Sequence, residues 1–181
     1  MKRVLLTVAV ALLIPGLLMA ATPTLGIWFS GVLHYTPVAP MTPFNAYLYL
    51  VQDSYFVTAV EYQLLMDPNV ILGGVSYPAN FALEMGDPLT GHAITFWPPM
   101  TGYPDGYDLL ATYTLYAKLD CAEMPDAPLT IGPHPDSGEL RGTYSPDNEM
   151  FSIIGLTSWI CLTEGVANDD TSWGAIKSLC E

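Results

Sequence analysis

The chain has 181 residues, 51% of them hydrophobic and 13% charged, with 18 Asp and Glu against 5 Lys and Arg. The hydrophobic fraction excludes a disordered chain, and the length suits one domain, with or without a targeting segment. A formal charge of −13 excludes nucleic-acid binding, which needs clustered Lys and Arg, and disfavours docking on anionic lipid.

The chain opens on Met1-Lys2-Arg3, followed by an apolar run over 4–18 that only Thr7, Pro15 and Gly16 interrupt. Met19-Ala20-Ala21 then supplies small residues for cleavage. A basic start, an apolar stretch and a small-residue site are the order of a secretory signal peptide. Pro15-Gly16 breaks the run short of the roughly 20 apolar residues a membrane span requires. Residues 1–20 are therefore expected to be a signal peptide and 21–181 the folded domain. No later segment reaches spanning length, so the exported chain is expected outside the cell or in the periplasm without membrane insertion. Lys118, Arg141 and Lys177 are the basic residues that remain after cleavage.

Beyond the leader, period-two alternation dominates. Weak strand signals lie at 26–29. The stretch 44–50 alternates small or aliphatic residues with polar or aromatic ones. Over 59–66 the even positions are apolar, while Glu61 and Gln63 face the other way. Short β-branched or aromatic runs follow at 81–85 and 92–97. From 109 to 119 the odd positions form an apolar stripe opposite Thr112, Thr114 and Lys118. Further strands are expected at 129–131 and 151–154. Asp67-Pro68-Asn69, Asp87-Pro88, Pro104-Asp105-Gly106 and Pro146-Asp147-Asn148 punctuate these runs as turns, since Pro presets φ and Gly or Asn tolerates a positive φ. Helical character is confined to one short turn expected over 170–177. Eight or nine strands without βαβ alternation predict a single all-β domain, an antiparallel β-sandwich of jelly-roll or immunoglobulin-like type.

Export makes the cysteines legible, because an oxidising compartment favours disulfides. Cys121, Cys161 and Cys180 permit three single pairings. Cys121 with Cys161 is favoured, since each lies at the edge of an apolar strand-like run. Closing a loop of about 40 residues contributes about 3–4 kcal/mol on the chain-entropy model. A zinc site needs closely spaced ligand pairs, and none is present.

The stretch from Phe44 to Leu119 resembles the core of cohesin-type secreted bacterial sandwiches and of related carbohydrate-binding modules. The resemblance rests on the first alternating strand at 44–50, on Val60-Glu61-Tyr62-Gln63-Leu64-Leu65-Met66-Asp67-Pro68-Asn69-Val70, and on the long alternating strand at 109–118. The second of these is similar to the cohesin pattern of a strand ending in a Tyr-Asp-Pro-like turn and an aliphatic residue. Met66 stands where that pattern has an aromatic, the cysteines are not a cohesin feature, and the tail from Arg141 to Ser158 has no counterpart. The resemblance implies a sandwich fold and an interaction role, and fold alone does not determine function.

Catalysis finds no motif. Gly74-Val75-Ser76-Tyr77-Pro78 lacks the second Gly of a nucleophile elbow, and His34, His92 and His134 are too scattered for a metal pair on one helix. His134-Pro135-Asp136 reads as an exposed turn. Glycoside hydrolysis needs two carboxylates about 5–10 Å apart, and the acidic residues single out no pair, so a hydrolase is the third reading. Calcium takes carboxylate and carbonyl oxygens in loops. Asp105 with Asp108, Asp147 with Glu149, and Asn168-Asp169-Asp170 offer such oxygens as a structural calcium site, and solvated turn chemistry explains them as well.

The segment from Thr95 to Asp108 places Trp97, Tyr103 and Tyr107 on a loop stiffened by Pro98, Pro99 and Pro104. These rings either close the end of the sandwich over its core or form a rigid platform for sugar rings or a partner's pocket. Tyr47 and Tyr49 form a second exposed patch or ordinary sheet packing. The sequence thus predicts a secreted, non-catalytic module that binds a protein partner at the cell surface or outside the cell. The alternative is a carbohydrate-binding module that holds a polysaccharide on Trp97, Tyr103 and Tyr107.

Overall fold

The computed structural model describes residues 22–29, 35–52, 56–102 and 106–162. They form thirteen strands: β1 (Thr24–Trp28), β2 (Tyr35–Thr36), β3 (Pro43–Val51), β4 (Val57–Met66), β5 (Val70–Ser76), β6 (Phe81–Asp87), β7 (Gly91–Met100), β8 (Tyr107–Ala117), β9 (Ala127–Gly132), β10 (Arg141–Tyr144), β11 (Glu149–Ser152), β12 (Ile154–Gly155) and β13 (Thr157–Ile160). The leader 1–20, the helical turn over 170–177, Cys180 and the acidic cluster 168–170 lie outside the described residues.

Two sheets face each other. The smaller has five strands in the order β12-β1-β3-β8-β5, and the larger has eight. The larger sheet runs β11-β10-β4-β9-β13-β2, with β7 on the other side of β4 and β6 beyond β7. β4 is the branch point. Its first half pairs with β10 on one side and β7 on the other, and its second half pairs with β9. β9 and β10 therefore lie end to end along one edge of β4, and residues 133–140 bridge them. The pairings β1–β12 and β2–β13 are parallel, through strands of two residues in each case, and the long pairings are antiparallel.

Alternation places the core where the pattern predicts it. In β4, Val60, Tyr62 and Leu64 are buried, and in β8 Ala111, Tyr113, Leu115 and Ala117 are. They meet Leu25 and Ile27 of β1, Leu48 and Leu50 of β3, and Leu129 and Ile131 of β9 in one continuous cluster.

Register shifts interrupt five of the strand pairings, and two of them set the phase of the smaller sheet. Leu48 pairs with Ala111 and Tyr49 with Leu109, so Leu110 is the extra residue in β8 and joins the core beside Ala111. Leu72 pairs with Leu115 and Gly74 with Thr114, which leaves Gly73 as the extra residue in β5. β5 carries no clean period because of that glycine pair, and the sequence pattern misses it. β10 and β13 escape the pattern for a different reason, since four residues hold too few alternations to register.

Cys121 and Cys161 form a disulfide with Cα atoms 4.9 Å apart, across a sequence separation of 40. It ties the turn after β8 to the end of β13. Asp126 N–H donates to the Cys161 carbonyl at 3.0 Å, and Met124 and Cys161 are buried beside the joint. Replacing Cys161 by Ser is expected to lower unfolding free energy by about 3–4 kcal/mol, measured by urea denaturation of the oxidised chain. Reducing the wild type should reproduce that loss, and reducing the variant should add nothing.

Candidate functional site

β6 holds the first feature that alternation alone misplaces. Phe81, Leu83 and Met85 stand two apart, so regular alternation would turn all three to one face. In the structure Phe81 pairs with Phe96 and Leu83 with Thr95, so the register shifts between them. Phe81 packs against the core, while Leu83 is 57% and Met85 64% exposed. On β4 the residues opposite the core-facing set are Ala59, Glu61, Gln63 and Leu65. Cross-strand partners extend this into a row over five strands: Leu83 of β6, Thr95 of β7, Ala59 of β4, Thr143 of β10 and Met150 of β11. Small residues occupy the middle, and Met150 closes the far end at 64% exposure. The row carries no charge in a chain of net charge −13.

The neighbouring row is polar. Met85 and Ala93 lead to Glu61 and then Arg141. Arg141 Nε donates to Glu61 at 2.9 Å and its Nη1 to Glu139 at 3.3 Å. The Glu61 carboxylate raises the Arg141 pKa above its ordinary value. Residues 133–140 rise beside this row as a small loop. Its backbone closes through His134 N–H to the Glu139 carbonyl at 2.9 Å and Gly138 N–H to the His134 carbonyl at 2.8 Å. The loop rests on Gly91, whose φ is +123°, and a Cβ there would stand 2.8 Å from Pro135. Between loop and sheet runs a groove of about 590 Å³ lined by Met85, Ala93, Glu61, Arg141, His134 and Asp136. His134-Pro135-Asp136 is thus the wall of a groove, which its reading as a plain exposed turn does not anticipate.

β6 is held in place from inside the sandwich. Glu84, between Leu83 and Met85, turns toward His92 of β7, which is fully buried. His92 Nε2 lies 3.2 Å from Glu84 Oε2, and its Nδ1 lies 2.8 Å from the Tyr62 hydroxyl. Tyr62 and Tyr113 join hydroxyl to hydroxyl at 2.5 Å across the core, and Tyr77 donates to Glu84 from the side. A carboxylate only accepts, so the protons run one way. Tyr113 donates to Tyr62, Tyr62 to Nδ1, and Nε2–H to Glu84. Burial lowers the His92 pKa, against the opposing pull of Glu84. Burial likewise raises the pKa of Tyr62, Tyr113 and Tyr77. The chain is therefore neutral inside and ends on one charge at the rim.

The residues singled out from sequence are dispersed. Trp97 stands 75% exposed at the outer end of β7, so this ring does not cap the core; Phe96 and Met100, on either side, fill that place. Tyr107, 42% exposed, lies instead on the smaller sheet, 6.5 Å edge-to-face from Tyr49. Tyr103 and Asp105 lie outside the described residues. Asp108 accepts from Gln52 Nε2 at 2.9 Å and from Gly102 N–H at 2.8 Å, which anchors the crossing from β7 to β8. Glu149 accepts from the Tyr144 hydroxyl at 2.5 Å, on the β10–β11 hairpin whose turn holds Asp147. Among the described residues, no three His, Cys, Asp or Glu side chains stand together as a metal site. Sequence reasoning misses Leu83 and Met85 because the bulge that turns β6 outward has no mark in the sequence, and it misses Arg141 and Met150 because their strands hold only four residues each.

No protein-family model matches this chain, and no curated protein matches it. Solved structures do. The third ScaB cohesin of R. flavefaciens, in complex with a group 1 dockerin, is 12% identical with a TM-score of 0.53, over 80% of this chain and 98% of that one. A non-cellulosomal cohesin from the hyperthermophilic archaeon Archaeoglobus fulgidus is 9% identical with a TM-score of 0.51, over 85% and 98%. A type III cohesin module from the ScaE cell-surface anchoring scaffoldin of Ruminococcus flavefaciens is 14% identical with a TM-score of 0.51, over 77% and 86%. The fold is cohesin-like, and at these identities the likeness speaks for the fold alone.

The buried imidazole makes stability depend on pH. A His held below its unfolded pKa of about 6.5 contributes stability that is complete above that pH and is lost as pH falls through the folded value. Unfolding free energy is expected to fall on acidification from pH 6.5 to 5, by at most about 1.4 kcal/mol per pH unit for this one proton. His92→Gln should remove that part of the slope in urea titrations at each pH.

Proposed function

We propose that this chain is an exported, non-catalytic interaction module that binds a protein partner on the outer face of its larger sheet. The uncharged row from Leu83 through Thr95, Ala59 and Thr143 to Met150 carries the reading. Exposed apolar side chains in a contiguous row, rimmed by polar residues, mark interaction surfaces on otherwise charged proteins. Here the rim is Glu61, Arg141 and the 133–140 loop. Small residues at the centre let a partner approach the sheet closely, and the long side chains of Leu83, Met85 and Met150 supply area at its edges. Methionine suits such a face, since its flexible thioether fits irregular surfaces.

The fold likeness supports this reading, because one of the similar cohesins was solved with a dockerin bound. Dockerin modules are thus the first class of partner to try. The Cys121–Cys161 disulfide fits an oxidising compartment, which agrees with a signal peptide at 1–20 and with a place at the cell surface or outside the cell.

A charge covered by a binding partner costs its desolvation. Leu83→Glu and Met150→Glu, both at exposed positions, should leave the melting temperature within a few degrees and weaken partner binding at least tenfold. Titration against a panel of dockerin modules by calorimetry, followed by affinity capture with wild type and both variants, measures this. Binding that is indifferent to both charges would remove the face from consideration.

A further inference from the structure

The outer face of the smaller sheet has a chemistry of its own. Its five strands carry a single charged residue, Asp108, in a chain with 18 acids, and that carboxylate is bound to Gln52 and Gly102. What the face displays is mainly aromatic and hydroxylic, with the exposed Ile71 of β5 paired beside Tyr116. Tyr47 and Tyr49 of β3 lie beside Thr112 of β8 and Tyr107 at its start, with Thr114 and Tyr116 further along. These side chains are opposite in phase to the buried Ala46, Leu48, Ala111, Tyr113 and Leu115.

The rings are set low against the sheet. Trp28 is nearly buried and braces Tyr49 edge-on at 5.7 Å, and Tyr49 in turn meets Tyr107 at 6.5 Å. Two glycines make room for this. A Cβ at Gly26 would come within 3.0 Å of the Trp28 ring, and one at Gly73 would collide with the ring of Tyr116. Gly73 is also the bulged residue of β5, so the sheet yields a position to seat that tyrosine. The result is a braced, uncharged surface on regular strands rather than on loops.

From this we infer that the outer face of the smaller sheet binds a neutral polysaccharide chain, with Tyr47, Tyr49, Tyr107 and Tyr116 as its stacking and hydrogen-bonding groups. A sugar ring offers C–H faces to aromatic rings and hydroxyls to tyrosine and threonine, and it brings no charge. Tyrosine supplies large, rigid, amphipathic contact at little entropic cost. The absence of charge in a chain of −13 matches a neutral ligand and gives nothing to pair with a charged one. This surface lies on the sheet opposite the proposed partner face and does not depend on it. It also relocates sugar binding from the loop that holds Trp97 to the strands that hold Tyr49.

The test is affinity electrophoresis of the full chain in native gels that contain hydroxyethylcellulose, galactomannan or a soluble β-1,3-glucan, with polygalacturonate as the anionic control. At least one neutral polymer is expected to retard the wild type, and polygalacturonate none. The double variant Tyr49→Ala with Tyr107→Ala, and separately Thr112→Glu, should weaken retardation at least tenfold with melting temperature checked for each. Leu83→Glu should retain it. The proposal falls if no neutral polymer retards the folded wild type, or if retardation survives both face variants. It falls equally if sedimentation shows a dimer that Thr112→Glu abolishes, which would give the face to a second copy of the chain.

Discussion

Two phenols meeting in the middle of a hydrophobic core set the terms for the rest of this molecule. Tyr62 of β4 and Tyr113 of β8 are fully buried and belong to different sheets. A buried hydroxyl without a partner costs about 1–3 kcal/mol, so the sheets must sit where the two oxygens reach each other. Tyr62 then needs an acceptor, His92 supplies it from β7, and Glu84 of β6 accepts from His92. One line of hydrogen bonds therefore fixes the smaller sheet against the larger, and β6 against β7. The edge strand that carries Leu83 and Met85 is pinned by the side chain that lies between them.

The faces of the sandwich differ because their phases were set separately. In β6 the register shift after Phe81 turns Leu83 and Met85 outward and sets Glu84 at the rim against His92. In β8 the extra Leu110 lets two consecutive residues face the core, after which Thr112, Thr114 and Tyr116 fall on the outside. In β5 the extra Gly73 makes space for the ring of Tyr116. Each bulge adds one residue, and each changes what solvent sees on one side of a strand. The larger sheet thereby shows an apolar row beside an Arg141–Glu61 pair, and the smaller shows tyrosine and threonine.

The cohesin-like architecture accommodates features that a plain sandwich pattern lacks. β9 and β10 share one edge of β4 and are separated by residues 133–140, of which His134 and Pro135 pack onto Gly91. The disulfide closes the opposite part of the chain, joining the turn after β8 to the last strand described. These two devices stiffen the ends of the larger sheet on which the apolar row is displayed.

The sequence by itself determined the fold class, the alternating strands of β3, β4 and β8, and the core-facing positions of β4 and of β8 beyond its bulge, because burial of one face imposes a period of two that the order of residues records directly. It also singled out Cys121 with Cys161 among the possible pairings. Short strands such as β10 and β13 were invisible, since four residues carry too little period to read. Trp97 and Tyr107, ten residues apart along the chain, were separated onto different sheets by the crossing between β7 and β8. Which rows meet across strands was decided by tertiary structure alone. Register and bulges depend on the partner strand, and an extra residue such as Gly73 or Leu110 reverses the outward side without any local signal. The apolar row, the buried line from Tyr113 to Glu84 and the tyrosine face all join residues distant in sequence, so only the pairing of the strands could bring them together.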